Sequence, residues 1–490
     1  VRSIFKGGFQ LSSARGVVLA IQALQYFILA KLLAPTGFGQ VSLFSIVLLY
    51  TGLTGFGIDT VAAREIPGRV AGNDRERVDH LTDLAFTCEL VLRAVVALGV
   101  ALVGVIFYEG TIRVGLILIA AVLFFDRIQA LYYGIGSALK RFDVLSRANI
   151  LGGVIIGVFT VLLVQTTGVY TQLIATLACA LLTTVYYHRR LGLRPRLRFD
   201  IGEFLKLVRM GLPFVALAIV FYLWKASDRT VIAAFTDFKS LGMYAFAAAC
   251  VQLVMAFMND FQTALQPAVY ERTARAQRPE DFYGIVRRPS ILLAYLTPAL
   301  VAFLWLAYPV VVALLLPEYS GTIWVFRILA LQIFLMNIGV MVAYLLRSAE
   351  INRQSYLVWL YVIAAGLSYA LSVALLASGF GLVGVAVGNV IAHGIAVVMT
   401  FVVAQRYFLV DRRQAFAYYR ELIEPLPLLL LFCVMVYWLE QRVGGGVIER
   451  LVLQSGLFLG FSGLVVYRMS VRLGMAATTD WYELFRRHST

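Results

Sequence analysis

Apolar residues in this chain run almost unbroken for twenty positions or more, and such runs recur from one end to the other. A helix needs about 20 mostly apolar residues to cross a hydrocarbon core of ~30 Å. Spans are therefore predicted near residues 9–33, 38–62, 81–108, 112–135, 148–167, 170–188, 206–234, 241–267, 290–316, 322–346, 355–378, 382–404, 425–440 and 447–468, fourteen in all. The run at 425–440 is the weakest: only Leu428 to Leu439 is strictly apolar, and Pro425 and Pro427 open it. The first run is long, carries charge and lacks a small-residue cleavage site, so it reads as a retained span rather than a cleaved signal. The expected fold class is an all-α polytopic membrane protein.

Composition agrees. The chain is 61% hydrophobic and 14% charged, with mean hydropathy +0.84, whereas soluble domains are ~45–50% apolar and ~25% charged. The net charge of +15 would suggest nucleic acid in a soluble protein. Here its position decides. With the N-terminus inside, the cytoplasmic connectors and termini hold 31 Lys and Arg, against Arg113, Lys239 and Arg442 on the other side. The positive-inside rule thus places both termini in the cytoplasm and accounts for the basic balance without nucleic acid. Outer connectors such as Ala34–Gly37 and Glu109–Thr111 are too short for an extracytoplasmic domain. Cys88, Cys179, Cys250 and Cys433 lie far apart in apolar runs and read as small buried hydrophobes.

Two stretches correspond at an offset of 203 residues. Gly8 pairs with Gly211, Gly39 with Gly242, and TGFGIDTVAAREI (54–66) with FMNDFQTALQPAV (257–269). The offset covers six spans, so both copies share one orientation, a recurrent transporter plan. The predicted organisation is an N-lobe of six helices (1–200), a C-lobe of six (201–404), and a C-terminal helix pair with a cytoplasmic tail (405–490).

Charge inside a span costs at least ~2.5–3.5 kcal/mol on insertion scales, so it should face a partner or a watery cavity. Glu89 and Arg93 share a helix face four residues apart and are expected to pair. Lys31, Arg327 and Arg450 lie near helix ends and are expected to snorkel. Asp126 and Arg127, as neighbours, are expected to point to different helices. The stretch FYLWKASDRT (221–230) differs. Lys225 and Arg229 share a face and one carboxylate, Asp228, cannot neutralise both. Ser12, Arg15, Gln22 and Gln25 form a polar stripe on the first span, and Gln252, Asn259, Gln262 and Gln266 form another on the eighth. The stripes suggest a shared hydrophilic cavity, and the excess positive charge suits a phosphate-bearing lipid. The chain has no GxxxxGK[ST] loop, HExxH or Cys/His metal cluster, so neither cofactor nor metal is expected. His393 reads as a packing residue.

KLLAPTGFGQVSLFSIVLLYTGLTGFGIDTVAARE (31–65), RMGLPFVALAIVFYLWKASDRTVIA (209–233), SLGMYAFAAA (240–249) and LQPAVYE (265–271) together resemble polysaccharide-biosynthesis flippases. These form the oligosaccharide-lipid branch of the multidrug/oligosaccharidyl-lipid/polysaccharide (MOP) exporter superfamily, which includes Wzx-type O-antigen flippases. The resemblance implies two six-helix lobes around a central cavity and alternating access. It implies transfer of a polyprenyl-pyrophosphate-linked oligosaccharide from the inner to the outer leaflet of the cytoplasmic membrane, alongside other polysaccharide assembly proteins. Only Asp228 and Arg229 match a family motif directly; Arg15 and Lys225 rest on the charge reading. On this reading Lys225 and Arg229 hold the pyrophosphate and Asp228 tunes their charge. Asp59 and Asp260 are candidate coupling carboxylates. The N-terminal pattern of lipid II flippases is not seen, and the C-terminal pair leaves the subfamily open. The alternatives are a drug or cation antiporter of the same superfamily, which would want an acidic cavity, and a membrane-embedded polymerase or glycosyltransferase, which would want a sizeable outer loop.

Overall fold

The computed structural model describes residues 2–54, 57–58, 61, 75–139, 141–193, 195–198, 200–275, 279–348, 350–409, 412–442 and 447–474. Among these residues there is no strand. The helices are α1 (Arg2–Gly52), α2 (Arg75–Phe107), α3 (Gly110–Ala138), α4 (Phe142–Thr167), α5 (Thr171–Leu191), α6 (Ile201–Phe235) and α7 (Phe238–Arg275). They continue as α8 (Pro279–Leu315), α9 (Ile323–Arg347), α10 (Gln354–Leu375), α11 (Gly381–Phe408), α12 (Arg412–Ile423), α13 (Pro425–Arg442) and α14 (Val447–Leu473). Ten segments of the described residues are long and apolar enough to cross a membrane. The difference from fourteen has visible causes. Gly16–Gly52, Phe142–Leu191 and Ser355–Phe408 each run through a kink or short turn and hold two of the expected spans. Ile201–Phe235, not all of whose side chains are described, is not among the ten.

The break in α1 falls at Ala34, whose φ of 53° and ψ of 175° are not helical. Pro35 follows it. Proline has no N–H to continue the helix and drives the residue before it out of the α region.

The chain forms two compact units, Val1–Leu253 and Val254–Thr490. In the first, α1 packs on α4, α2 on α3, and α5 on both α3 and α4. In the second, α8 packs on α9, and α11 on both α9 and α10. The pairings α2 with α3, α3 with α5 and α4 with α5 thus recur as α8 with α9, α9 with α11 and α10 with α11. The first unit also holds α6 and the first half of α7, which the sequence repeat assigns to the second copy. They are there because they pack on α1: the Tyr50 and Thr230 hydroxyls lie 2.7 Å apart, and Phe27 meets Phe246 edge-on at 5.6 Å.

The close point of that packing is Gly39 against Gly242. A Cβ on Gly39 would lie 1.8 Å from the Phe238 carbonyl oxygen, and a Cβ on Gly242 would lie 1.8 Å from the Pro35 carbonyl oxygen. The contact is reciprocal under the repeat: the offset that carries Gly39 to Gly242 also carries Pro35 to Phe238. The two glycines that align in sequence thus touch in space.

The buried charges are mostly paired. Arg93 Nε lies 3.2 Å from Glu89 Oε2 with both side chains buried, and its Nη1 donates to Thr54 Oγ1 at 2.9 Å. Lys31 is exposed, as a snorkelling residue is. Arg327 departs from expectation. It is only 2% exposed, and its Nη1 and Nη2 donate to the two Glu440 carboxylate oxygens at 3.0 and 2.5 Å. Its guanidinium carbon lies 5.3 and 5.2 Å from the Trp305 and Trp324 ring centroids. Arg327 does not reach for the interface because α13 brings it a carboxylate and two indole faces accept its charge. Arg450 lies outside the described side chains.

The same pair ties α13 to α9, and a second clamp forms at α8. There Arg287 Nε and Nη2 donate to Glu421 at 2.8 Å each, while Arg472 Nη2 and Arg468 Nη1 reach Glu424 at 2.6 and 3.1 Å. The amphipathic α12, which buries Tyr418 and Leu422, carries Glu421 into that cluster. His393 packs as expected: its Nε2 lies 2.7 Å from Gln332 Nε2 and its Nδ1 lies 2.8 Å from the Asn389 carbonyl. All four cysteines are free, and Cys88, Cys179 and Cys433 are buried.

Two outcomes are expected. Gly39→Ala and Gly242→Ala each lower the melting temperature of the purified protein, whereas Gly99→Ala, whose added Cβ meets nothing within 4 Å, leaves it unchanged. Arg327→Ala costs about 3–5 kcal/mol by stranding Glu440, and pairing Arg327→Met with Glu440→Leu restores much of the loss. Thermal melts of the single and double variants check this.

Candidate functional site

The charged stretch lies on α6, where the sequence sorts its side chains to opposite sides. Trp224, Ser227, Asp228 and Val231, spaced 3, 1 and 3, form a buried strip. Lys225 and Arg229, four residues apart, stand on another face with Tyr222 one turn before. Lys225 is exposed and Arg229 is half-buried.

Asp228 is turned away from Lys225 and is 6% exposed. Its Oδ2 accepts the Tyr244 hydroxyl of α7 at 2.8 Å, and its Oδ1 accepts the Arg229 backbone N–H at 2.7 Å. The helix-to-helix bond follows from the turn between α6 and α7. Asp228 lies eight residues before Thr236 and Tyr244 eight after it, so the two stand at the same height in an antiparallel pair, about 12 Å from the turn. The turn is fixed by Asp237, whose Oδ1 accepts the Ser240 N–H at 2.7 Å and so caps α7.

Asp228 therefore serves two donors of the packed interior. The Lys225 ammonium has no hydrogen bond or ion pair among the described residues. The Arg229 guanidinium lies within electrostatic reach of Asp228 and of Tyr26 on α1. The exposed face of α6 is net positive.

The polar stripes divide. Gln25 is buried and donates its amide to Gln172 Oε1 on α5. Gln262 is buried and donates to Asn337 Oδ1 on α9. These two are interhelical hydrogen bonds inside their own units, and Gln25 also borders a largely apolar cavity between α1 and α4. Gln22 and Gln252 are half-buried and Asn259 is exposed. Asp59, and the side chains of Arg15 and Asp260, lie outside the described residues. The expectation that Asp126 and Arg127 point apart does not hold: Arg127 Nε lies 3.8 Å from Asp126 Oδ2. The bulk of neighbouring helices on α3 leaves both side chains the same open side.

The repeat adds meaning to this arrangement. An offset of 203 carries Gln22 to Lys225, Gln25 to Asp228 and Tyr26 to Arg229. Where the first copy has an amide, an amide and a phenol, the second has a cation, a carboxylate and a cation. Tyr26 and Tyr244 were not singled out in the sequence. Equal spacing about the 236–237 turn could have found Tyr244; nothing local marks Tyr26.

A profile of the family described as polysaccharide biosynthesis protein matches residues 28–324. The chain belongs to that family. The match covers both sides of the Gly39–Gly242 crossing and all of α6 with its charges. Curated protein sequences give no match to this polysaccharide biosynthesis protein. Among solved structures it is similar to the lipid II flippase MurJ in an inward closed conformation, with a TM-score of 0.73, 14% identity, and coverage of 94% of this chain and 99% of that one. It is also similar to a multidrug resistance MATE family transporter of the MOP superfamily in an inward-facing conformation (TM-score 0.68, 17% identity, 79% and 94% covered). A third is a MOP superfamily transporter from Pyrococcus furiosus, described by the reverse polarity of its binding pocket (TM-score 0.58, 19% identity, 82% and 95% covered). At these identities the likeness shows the fold: this is a multi-pass membrane protein with the architecture of MOP-superfamily transporters and flippases.

The Asp228–Tyr244 bond is testable. Tyr244→Phe leaves a buried carboxylate oxygen without its donor and is expected to cost about 1–3 kcal/mol of stability. Asp228→Asn keeps an acceptor for the phenol and costs less. The thermal melts of the two variants should rank in that order.

Proposed function

We propose that this chain flips a polyprenyl-pyrophosphate-linked oligosaccharide from the cytoplasmic to the outer leaflet by alternating access. The observation that carries the reading is the cationic face of α6. Asp228 is committed to Tyr244 and to backbone, so Lys225 and Arg229 keep their charge for a ligand. Two cations on one helix face suit a pyrophosphate, Arg through paired donors and Lys as a compact charge. A lipid-linked cargo lets its chain remain in the bilayer while the head group meets these cations.

The family, polysaccharide biosynthesis, supports this class of cargo, and the fold supports transport rather than catalysis. In this reading residues 1–200 and 201–404 are the moving lobes, and 405–490 is a helix pair held on the second by the Arg327–Glu440 and Arg287–Glu421 bonds. Gly39 and Gly242, one from each repeat copy, form the contact that must part when the lobes rock. Arg15, the half-buried Gln22 and Gln252 and the exposed Asn259 are assigned to the path of the head group, and Asp59 and Asp260 to coupling. With the termini in the cytoplasm, moving an anion outward gains ~2.3 kcal/mol per charge per 100 mV. Partners are the lipid-linked glycan, the cytoplasmic membrane bilayer and the other proteins of polysaccharide assembly.

A ligand that binds only the folded state raises its melting temperature. A polyprenyl-pyrophosphate oligosaccharide should stabilise the purified wild type, stabilise Lys225→Ala much less, and stabilise Lys225→Arg nearly as well as wild type. No shift with this lipid, together with a shift from organic cations, would replace this reading with a cation exporter.

A further inference from the structure

A cavity of about 260 Å³ opens inside the first unit among α1, α3, α5 and α6. Most of its wall is apolar, but Asp126, Arg127, Gln172 and Tyr222 face into it beside the ring of Phe44. Its polar groups are poorly used. Arg127 Nε is buried without a hydrogen-bond partner. Its 3.8 Å separation from Asp126 Oδ2 is an ion pair but too long for a hydrogen bond. Among the described residues neither side chain makes any hydrogen bond. Gln172 accepts from Gln25 through Oε1, which leaves its own amide hydrogens to the cavity. Gly52 lets the guanidinium lie close, since a Cβ there would sit 3.0 Å from Nη2.

Charge selects the ligand. A free anion would meet the Asp126 carboxylate, and a free cation would meet the Arg127 guanidinium. A neutral group with hydroxyls meets neither obstacle. It donates to the carboxylate and accepts from the guanidinium and the Gln172 amide, because each hydroxyl is both donor and acceptor. The half-buried Tyr222 ring offers an apolar face to the C–H side of a pyranose. The volume is below the ~300–1,000 Å³ of drug-sized pockets, which suits a single ring.

We propose that this cavity is a monosaccharide subsite, which takes one neutral sugar ring of the lipid-linked glycan. The proposal rests on the flippase reading and deepens it. Tyr222 ties the cavity to the cationic face, because Lys225 follows it by three residues, about 4.5 Å along the axis. A phosphate at Lys225 would place the sugar bonded to it at the cavity mouth. The cations read the pyrophosphate, and the Asp126–Arg127 pair reads the first sugar.

Saturation-transfer NMR on the purified full chain, with methyl glycosides of glucose, galactose and N-acetylglucosamine as probes, tests the subsite. At least one glycoside should receive saturation. Asp126→Asn, which removes a charged acceptor, should weaken its binding about tenfold. Ser45→Leu, which adds apolar bulk to the same wall without touching the ion pair, should weaken it as well. In parallel, a sugar-free polyprenyl pyrophosphate should raise the melting temperature of wild type and of Asp126→Asn alike, but not of Lys225→Ala. No saturation of any glycoside, or saturation unchanged in both variants, overturns the subsite while the lipid result stands by itself. Displacement of the glycoside by sulfate or tetramethylammonium also overturns it, since the site would then be one for ions. Saturation without any lipid stabilisation would keep a sugar pocket and overturn the flippase reading on which its assignment to the glycan rests.

Discussion

Charge is expensive in hydrocarbon, and the cost falls only when a charged group meets a partner, an aromatic face or water. That constraint organises this protein. Arg93 is held by Glu89 and Thr54. Arg327 is held by Glu440 between two indoles. Arg287 and Arg472 are held by the carboxylates of α12 and its end. The Arg327–Glu440 and Arg287–Glu421 pairs join helices, so the pairing that makes a charge tolerable also fixes an arrangement. Asp228 belongs with them, since Tyr244 and a backbone N–H absorb it.

The proposed function draws on the remainder. Once the paired charges are set aside, the described residues leave Lys225 and Arg229 on one face of α6, and the loosely paired Asp126 and Arg127 in a cavity of α3. The first set is net positive and the second is neutral. A lipid-linked sugar phosphate has the same two chemistries in sequence, an anionic linkage and then a neutral ring. Tyr222, which lines the cavity one turn before Lys225, places the two settings side by side on a single helix.

The repeat explains how such a site arises on a symmetric frame. Gly39 and Gly242 touch through backbone, and any side chain there would force the helices apart. The two copies therefore share their closest approach. They differ in charge: Gln22, Gln25 and Tyr26 stand where the second copy has Lys225, Asp228 and Arg229. Shape is kept by the glycines while polarity is free to differ. The C-terminal pair is no loose appendage, since Glu440 and Glu421 bind it to the second unit.

Much of the fold was legible in the chain itself, because membrane insertion is decided by composition over windows of about 20 residues. The apolar runs, the one-sided distribution of Arg and Lys, the 203-residue offset and the Glu89–Arg93 pair are all local or periodic features. The partners of the other charges are not. Arg327 reads in the sequence as a snorkelling residue because Glu440 is over a hundred positions away, and only the docking of α13 brings it near. Asp126 and Arg127 were read as diverging because neighbours on a helix do diverge at Cβ, and only the surrounding helices leave both side chains one opening. Gln25 meets Gln172 only because α5 packs there, 147 positions away in the chain. Sequence alone determined that the chain crosses the membrane many times and which charges lie within its apolar runs. Tertiary structure decided which of those charges meet a partner, because that depends on helix rotation and on neighbours distant in the chain.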